Sequence, residues 1–145
     1  MILDALAKLS SSQALSVGTA VSTDKYDLGD VTPRRDVGAG EPMAIIITVE
    51  ETAVVSADSF AFAIVSDEDA ALGSPTVHLT RTIAGALLVE GALIVLDIPP
   101  GPQAYQRYLG VRYILGASDT VTVSAHICPR NHIPAQAYYA TAFEV

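Results

Sequence analysis

The sequence predicts an all-β protein, a sandwich of about eight to ten strands. Three observations carry this. Apolar and polar residues alternate with period two in several separate segments, the mark of strands with one buried face. Turn chemistry recurs about every 8–12 residues, the spacing of a sandwich or barrel. The apolar stock is aliphatic: half of the 145 residues are hydrophobic, yet Trp is absent and only 6% are aromatic. A core of Val, Ile, Leu and Ala suits packed sheets.

Taken in order, Ile2, Leu3, Leu6 and Leu9 recur at helical spacing, so residues 1–13 read as a short amphipathic helix or hydrophobic arm. Residues 15–22 read as the first strand. Residues 23–40 are polar and rich in Gly and Pro, a long loop holding one short strand around Tyr26. In 43–50, Met43, Ile45, Ile47 and Val49 share a face. In 59–65, Phe60, Phe62 and Ile64 share one face, and the small Ala61 and Ala63 on the other leave room for close packing. Asp67-Glu-Asp69 and Gly73-Ser-Pro75 end that strand. Val77, Leu79 and Arg81 alternate in the next, and residues 86–89 and 92–98 form two more. Pro99-Pro-Gly-Pro102 is a hard stop, since proline donates no ladder hydrogen bond. Tyr108-Leu-Gly-Val-Arg-Tyr-Ile-Leu115 and Thr120-Val-Thr-Val-Ser-Ala-His-Ile127 flank Gly116-Ala-Ser-Asp119 and read as an antiparallel hairpin. Tyr138, Tyr139 and Phe143 mark a last strand in the tail. No repeat or linker divides the chain, so residues 14–145 are expected to be a single domain.

Composition narrows the function classes. Net charge is −8. Such a field repels nucleic acid and anionic lipid, so neither is an expected partner. Residues 83–98 are the most apolar stretch, but short for a span and interrupted by Glu90. One cysteine excludes an internal disulfide framework and suits a reducing compartment. Only 17% of residues are charged. That apolar excess calls for large interfaces, and a lone sandwich leaves the second apolar face of 59–65 uncovered. A homo-oligomer is therefore expected.

Catalytic chemistry is sparse. His126, Cys128 and His132 have zinc-ligand types, but Pro129 interrupts the strand and a fourth ligand is missing, so no metal and no cofactor are expected. Asp24, Asp27 and Asp30 lack the alternation and central glycine of a calcium loop. Asp67 to Asp69 is a charged turn. Glu50, Glu51 and Asp97 at strand ends offer an acid–base pair, as any acidic all-β chain does. No Gly-x-Ser-x-Gly elbow, dinucleotide loop or phosphate loop occurs. Tyr105, Tyr108 and Tyr113 suit a core edge or interface better than sugar stacking. The chain does not read as an enzyme.

Three stretches carry a resemblance: Met1-Ile-Leu-Asp-Ala-Leu with Ser11-Ser-Gln-Ala14; Ile98-Pro-Pro-Gly101; and Arg107-Tyr-Leu-Gly-Val-Arg-Tyr113 leading into Thr120-Val-Thr-Val. In this order they resemble the small capsid cement, or decoration, proteins of tailed phages, the group known from Bordetella phage and related podoviruses. None of the motifs is catalytic. The resemblance implies a jelly-roll β-sandwich that self-associates as a dimer or trimer. It would sit on the outer surface of an icosahedral head, bind the major capsid protein, and be made in the bacterial cytoplasm. Ile2, Leu3, Leu6, the Arg34-Arg35 loop, Tyr138 and Tyr139 are the candidate contacts with capsid or with a second copy. Two alternatives stay open: another virion component, such as a head-completion or tail protein, and a jelly-roll carbohydrate-binding or enzymatic domain.

Overall fold

The computed structural model describes residues 5–31, 37, 40–54, 59–100, 105–116 and 119–133. Among these are nine strands, three single 3-10 turns and no α-helix. The strands are β1 (Lys8–Leu15), β2 (Gly18–Val21), β3 (Tyr26–Asp27), β4 (Met43–Val54), β5 (Ser59–Asp67), β6 (Thr76–Ala84), β7 (Leu93–Asp97), β8 (Tyr108–Leu115) and β9 (Thr120–Pro129). They form two antiparallel sheets. One has the order β1-β9-β4-β7; the other has β2-β8-β5-β6, with β3 also on β8.

The alternation read from sequence is the one that packs. Ile45, Ile47 and Val49 of β4, with Val121, Val123, Ala125 and Ile127 of β9, are buried in a single core cluster. Phe60, Phe62 and Ile64 of β5, with Leu109, Val111, Tyr113 and Leu115 of β8, supply the opposing side. Burying each such side chain contributes about 1.5–3 kcal/mol. Phe62 and Tyr113 meet edge to face, ring centroids 6.1 Å apart. The Tyr113 hydroxyl must find a partner in this core, and Ser10 Oγ of the other sheet lies 2.8 Å away. Ser10 in turn donates to Gln13 Oε1 at 2.7 Å, so the tyrosine is the donor of the pair. Burial pushes the Tyr113 hydroxyl far above its ordinary pKa, and the bond to Ser10 offsets only part of this.

The N-terminal expectation needs correction. Within residues 1–13, Ala5–Ala7 is one 3-10 turn and β1 begins at Lys8, so no boundary falls at residue 13. Backbone pairing with β9 overrides the helical spacing. Two register shifts each insert an extra residue in β1. The parity lost at the first is restored at the second, so Leu9 and Leu15 both face the core. The strand expected over 15–22 is likewise broken. Gly18, at φ +96°, turns the chain from the first sheet into the second. The strand expected over 86–89 is absent as well. Gly85–Leu87 is a 3-10 turn that seats Leu88 in the core.

The second apolar face of β5 is covered within the chain. Ala63 and Val65 pack against Leu72, with Val21 and Tyr108 at the margin. Leu72 is pinned there by its loop. Asp67 accepts from Asp69 N–H at 3.2 Å and Ser74 N–H at 3.0 Å, while Leu72 N–H bonds Asp69 O at 3.0 Å. Those two hydrogen bonds hold the Asp67 carboxyl below the ordinary range. Leu72 sits at φ +51°, a left-handed conformation costly for a branched side chain, and lies over Gly110. Of the small residues noted at 61 and 63, Ala63 does admit a neighbour, and it is Leu72.

Candidate interaction site

Among the described residues, no three His, Cys, Asp or Glu side chains converge as metal ligands would. His126 and Cys128 share the outer face of the first sheet, opposite Ile46 and Ala44. His132 is exposed on the turn Arg130–His132. Burial, reinforced by the charge of Lys8, lowers the His126 pKa. Burial raises the Cys128 thiol, the reverse of what a nucleophile or metal ligand needs.

The acidic groups are engaged by their own surroundings. Arg107 grips Asp27 with two bonds of 3.0 and 3.1 Å and has Asp30 at 4.0 Å. Lys8 stands 3.9 Å from Asp24. Glu50 is bonded by Ser12 and Ser124, which lower its pKa, and Glu51 accepts from Thr122 Oγ1 at 2.8 Å. None of these is an acid–base pair poised across a cleft.

One constellation had no sequence signal. Ser66 Oγ lies 2.7 Å from His78 Nε2 and accepts from Gln106 N–H at 3.0 Å. His78 rests on the Tyr105 ring, centroids 4.4 Å apart, and Tyr105 donates to Pro99 O at 2.8 Å. A serine–histidine pair suggests a nucleophile. However, Ser66 is 0% exposed, and its hydroxyl ties β5, β6 and the segment before β8 together. The pairing depends on the β5–β6 register, which no residue pattern states.

What remains is surface, and the sheet edges differ sharply. β1 is bulged twice, with Ser12 at φ +44°. β7 has five residues, and Arg81 donates across the sandwich to Val95 O at 2.9 Å. β2 and β3 are a broken edge of four and two residues, bridged to β1 by Gln13 Nε2 donating to Val21 O at 2.9 Å. These are the devices by which proteins blunt edges. β6 has almost none. It is nine residues long, contains no Pro, Lys, Asp or Glu, and exposes Thr76, Val77, Thr80, Arg81, Thr82 and Ala84. Among the described residues no strand pairs its outer edge.

Of the candidate contacts read from sequence, Leu6 is described and is 82% exposed. Ile2, Leu3, Arg34, Arg35, Tyr138 and Tyr139 lie outside the described residues, as does the tail strand. Among the described residues no helix is long and apolar enough to cross a membrane.

The class these features define is an all-β sandwich of two antiparallel sheets. The Bbp16 family model matches residues 9–127, from β1 into β9, and the chain belongs to that phage-related family, named for a Bordetella phage protein. No curated protein matches the chain. Among solved structures, the crystal structure of PirA is similar with TM-score 0.41 and 10% identity, over 80% of this chain and 92% of that one. So distant a likeness bears on neither fold nor function here.

Proposed function

We propose that this chain is a capsid cement protein. It binds the outside of an assembled phage head and holds neighbouring major capsid subunits together. The observation that carries the reading is the family match across the sandwich, residues 9–127. The strand order adds to it. With β2 and β3 counted as one broken strand, the pairs β1–β9, β2/β3–β8, β4–β7 and β5–β6 nest as in a hairpin rolled up on itself. This nesting supports a jelly-roll reading of the sandwich. We further propose that the protein acts without enzymatic activity or cofactor and self-associates. The long exposed edge of β6 is the surface for that self-association. In an antiparallel pair of β6 strands centred on Thr80, Arg81 stands opposite Leu79, so no like charges meet directly.

The mechanism is linkage. A protein that binds only the assembled, expanded shell adds its interface free energy to that state. Many copies on one lattice act together through effective concentration. The test is a gene deletion. Heads should form without the protein but leak DNA on heating, and added purified protein should restore their resistance. Failure of heads to assemble at all would make it a shell or scaffold component. Stripped heads as heat-resistant as intact ones would end the cement reading.

A head-completion or tail role fits the same family match, with a ring of few copies in place of a lattice. A sugar-binding role fits less well. Among the described residues, the open groove of about 340 Å³ beside Ala14, Glu51, Val54 and Thr122 has no aromatic wall on which a ring would stack.

A further inference from the structure

The described cations are spoken for, with one exception. Lys8 faces Asp24, Lys25 donates to Thr23 O, Arg81 to Val95 O, Arg107 to Asp27, and Arg130 lies 2.7 Å from Asp97. The guanidinium of Arg112 has no ion pair and no hydrogen bond among the described residues. Lys25 and Arg81 also lack a carboxylate but each donates to a backbone carbonyl, whereas among the described residues Arg112 has neither.

Its surroundings sharpen the point. Val111 and Tyr113 face the core, so Arg112 projects from the outer face of β8. There its cross-strand neighbours are Val21 and Ala63, with no acidic group opposite on either side. It lines a groove of about 380 Å³ between β2 and the β5–β6 loop, walled by Thr19, Val21, Leu72, Ser74 and Pro75. The loop wall is built, not loose. Asp67 holds Ser74 and Asp69 by their backbone N–H groups, and Leu72 is seated over Gly110. A half-exposed guanidinium without a partner among the described residues, beside two hydroxyls and a preformed wall, is matched by a carboxylate. The guanidinium fork takes a carboxylate with two parallel bonds, and the hydroxyls of Thr19 and Ser74 line the same groove. A phosphate-rich polymer does not fit, since the site offers a single cation on a protein of net charge −8.

We propose that this groove docks a Glu or Asp side chain of a partner protein. On the reading of the chain as a head component, on which this inference rests, that carboxylate lies on the shell surface. Arg112 sets the register of docking, while Val21 and Pro75 flank the stem of the docked side chain. The wall is ordered before binding, so little ordering cost is left for the encounter.

The test uses the full chain and heads prepared without it, with bound protein measured by co-sedimentation across a concentration series. Arg112→Ala should bind about tenfold or more weakly, and Arg112→Glu should not bind. Arg112→Lys should recover only part of the affinity, because an ammonium lacks the fork. Lys25→Ala, which removes a cation bonded only to a backbone carbonyl, should bind like the wild type. Thermal melts of each variant establish that it is folded; Arg112 lies outside the core, and its replacements should melt with the wild type. Wild-type binding unchanged by Arg112→Ala and Arg112→Glu would overturn this inference and leave the head reading standing. No binding of the wild type to heads would remove both.

Discussion

Gly110→Ala tests the outer cluster of the second sheet at its tightest point. A Cβ on Gly110 would lie 2.6 Å from Leu72 Cδ1 and 2.9 Å from Ser22 Oγ, both inside contact distance. Ser22 cannot yield freely: its hydroxyl accepts from Val111 N–H at 3.1 Å and donates to Asp24 O at 2.9 Å. Leu72 must therefore move, which uncovers Ala63 and Val65. Overpacking of this kind costs about 1–3 kcal/mol. The lower backbone entropy of alanine returns about 0.5–1 kcal/mol. A net loss of about 1–2 kcal/mol corresponds to a fall in Tm of about 3–8 °C for a chain of this size. Circular dichroism melts measure it directly. The cause is then isolated by a double-mutant cycle. Leu72→Ala alone removes a side chain that is 3% exposed and should cost about 2–3 kcal/mol, after which Gly110→Ala should cost clearly less than it does alone, only the contact with Ser22 Oγ remaining. If Gly110→Ala raises Tm, or if the two losses simply add, the seating of Leu72 on Gly110 is wrong.

Three further outcomes follow. Tyr113→Phe removes the donor to Ser10 Oγ but leaves Ser10 bonded to Gln13, so it should cost about 1 kcal/mol by denaturant titration; a loss above about 3 kcal/mol would mean a larger network. The lowered pKa of Asp67 contributes stability that is complete above its ordinary value of 3.8 and is lost as pH falls through the folded value. Asp67→Asn should therefore flatten the acid limb of the stability curve, and an unchanged limb would show that the loop does not depend on that carboxylate. The thiol of Cys128, 3% exposed with a raised pKa, should react with a disulfide reagent only on unfolding; rapid labelling of the folded protein would contradict its burial.

Legibility in the sequence tracked period-two alternation. β4, β5 and β9 each present every second residue to one core, so the sequence alone places Ile45, Phe62 and Val123 there. β1 could not. Its two extra residues hide the period, and the partner edge that holds it lies more than a hundred residues away at Ala125 and Val123. The Leu72 cover is invisible for a related reason, because a leucine in a polar loop has no period at all. The apolar pattern of 59–65 does demand a cover. Ala63 and Val65 receive theirs from the same chain, so that segment no longer argues for a second copy. The argument for self-association passes to β6, whose exposure depends on strand order and not on any local signal. Val77→Lys with Thr82→Lys should accordingly leave the fold intact and yield a monomer by light scattering, where the wild type gives a multiple of the chain mass. A wild type that is already monomeric at micromolar concentration would refute self-association.

The central claim is that this chain covers a shell, and its copy number in purified virions, counted by quantitative mass spectrometry against the major capsid protein, tests it most directly. A cement protein repeats with the lattice, so on the order of hundreds of copies are predicted. About a dozen or fewer would place it in a ring at the portal or tail, and its absence from the particle would contradict any virion role.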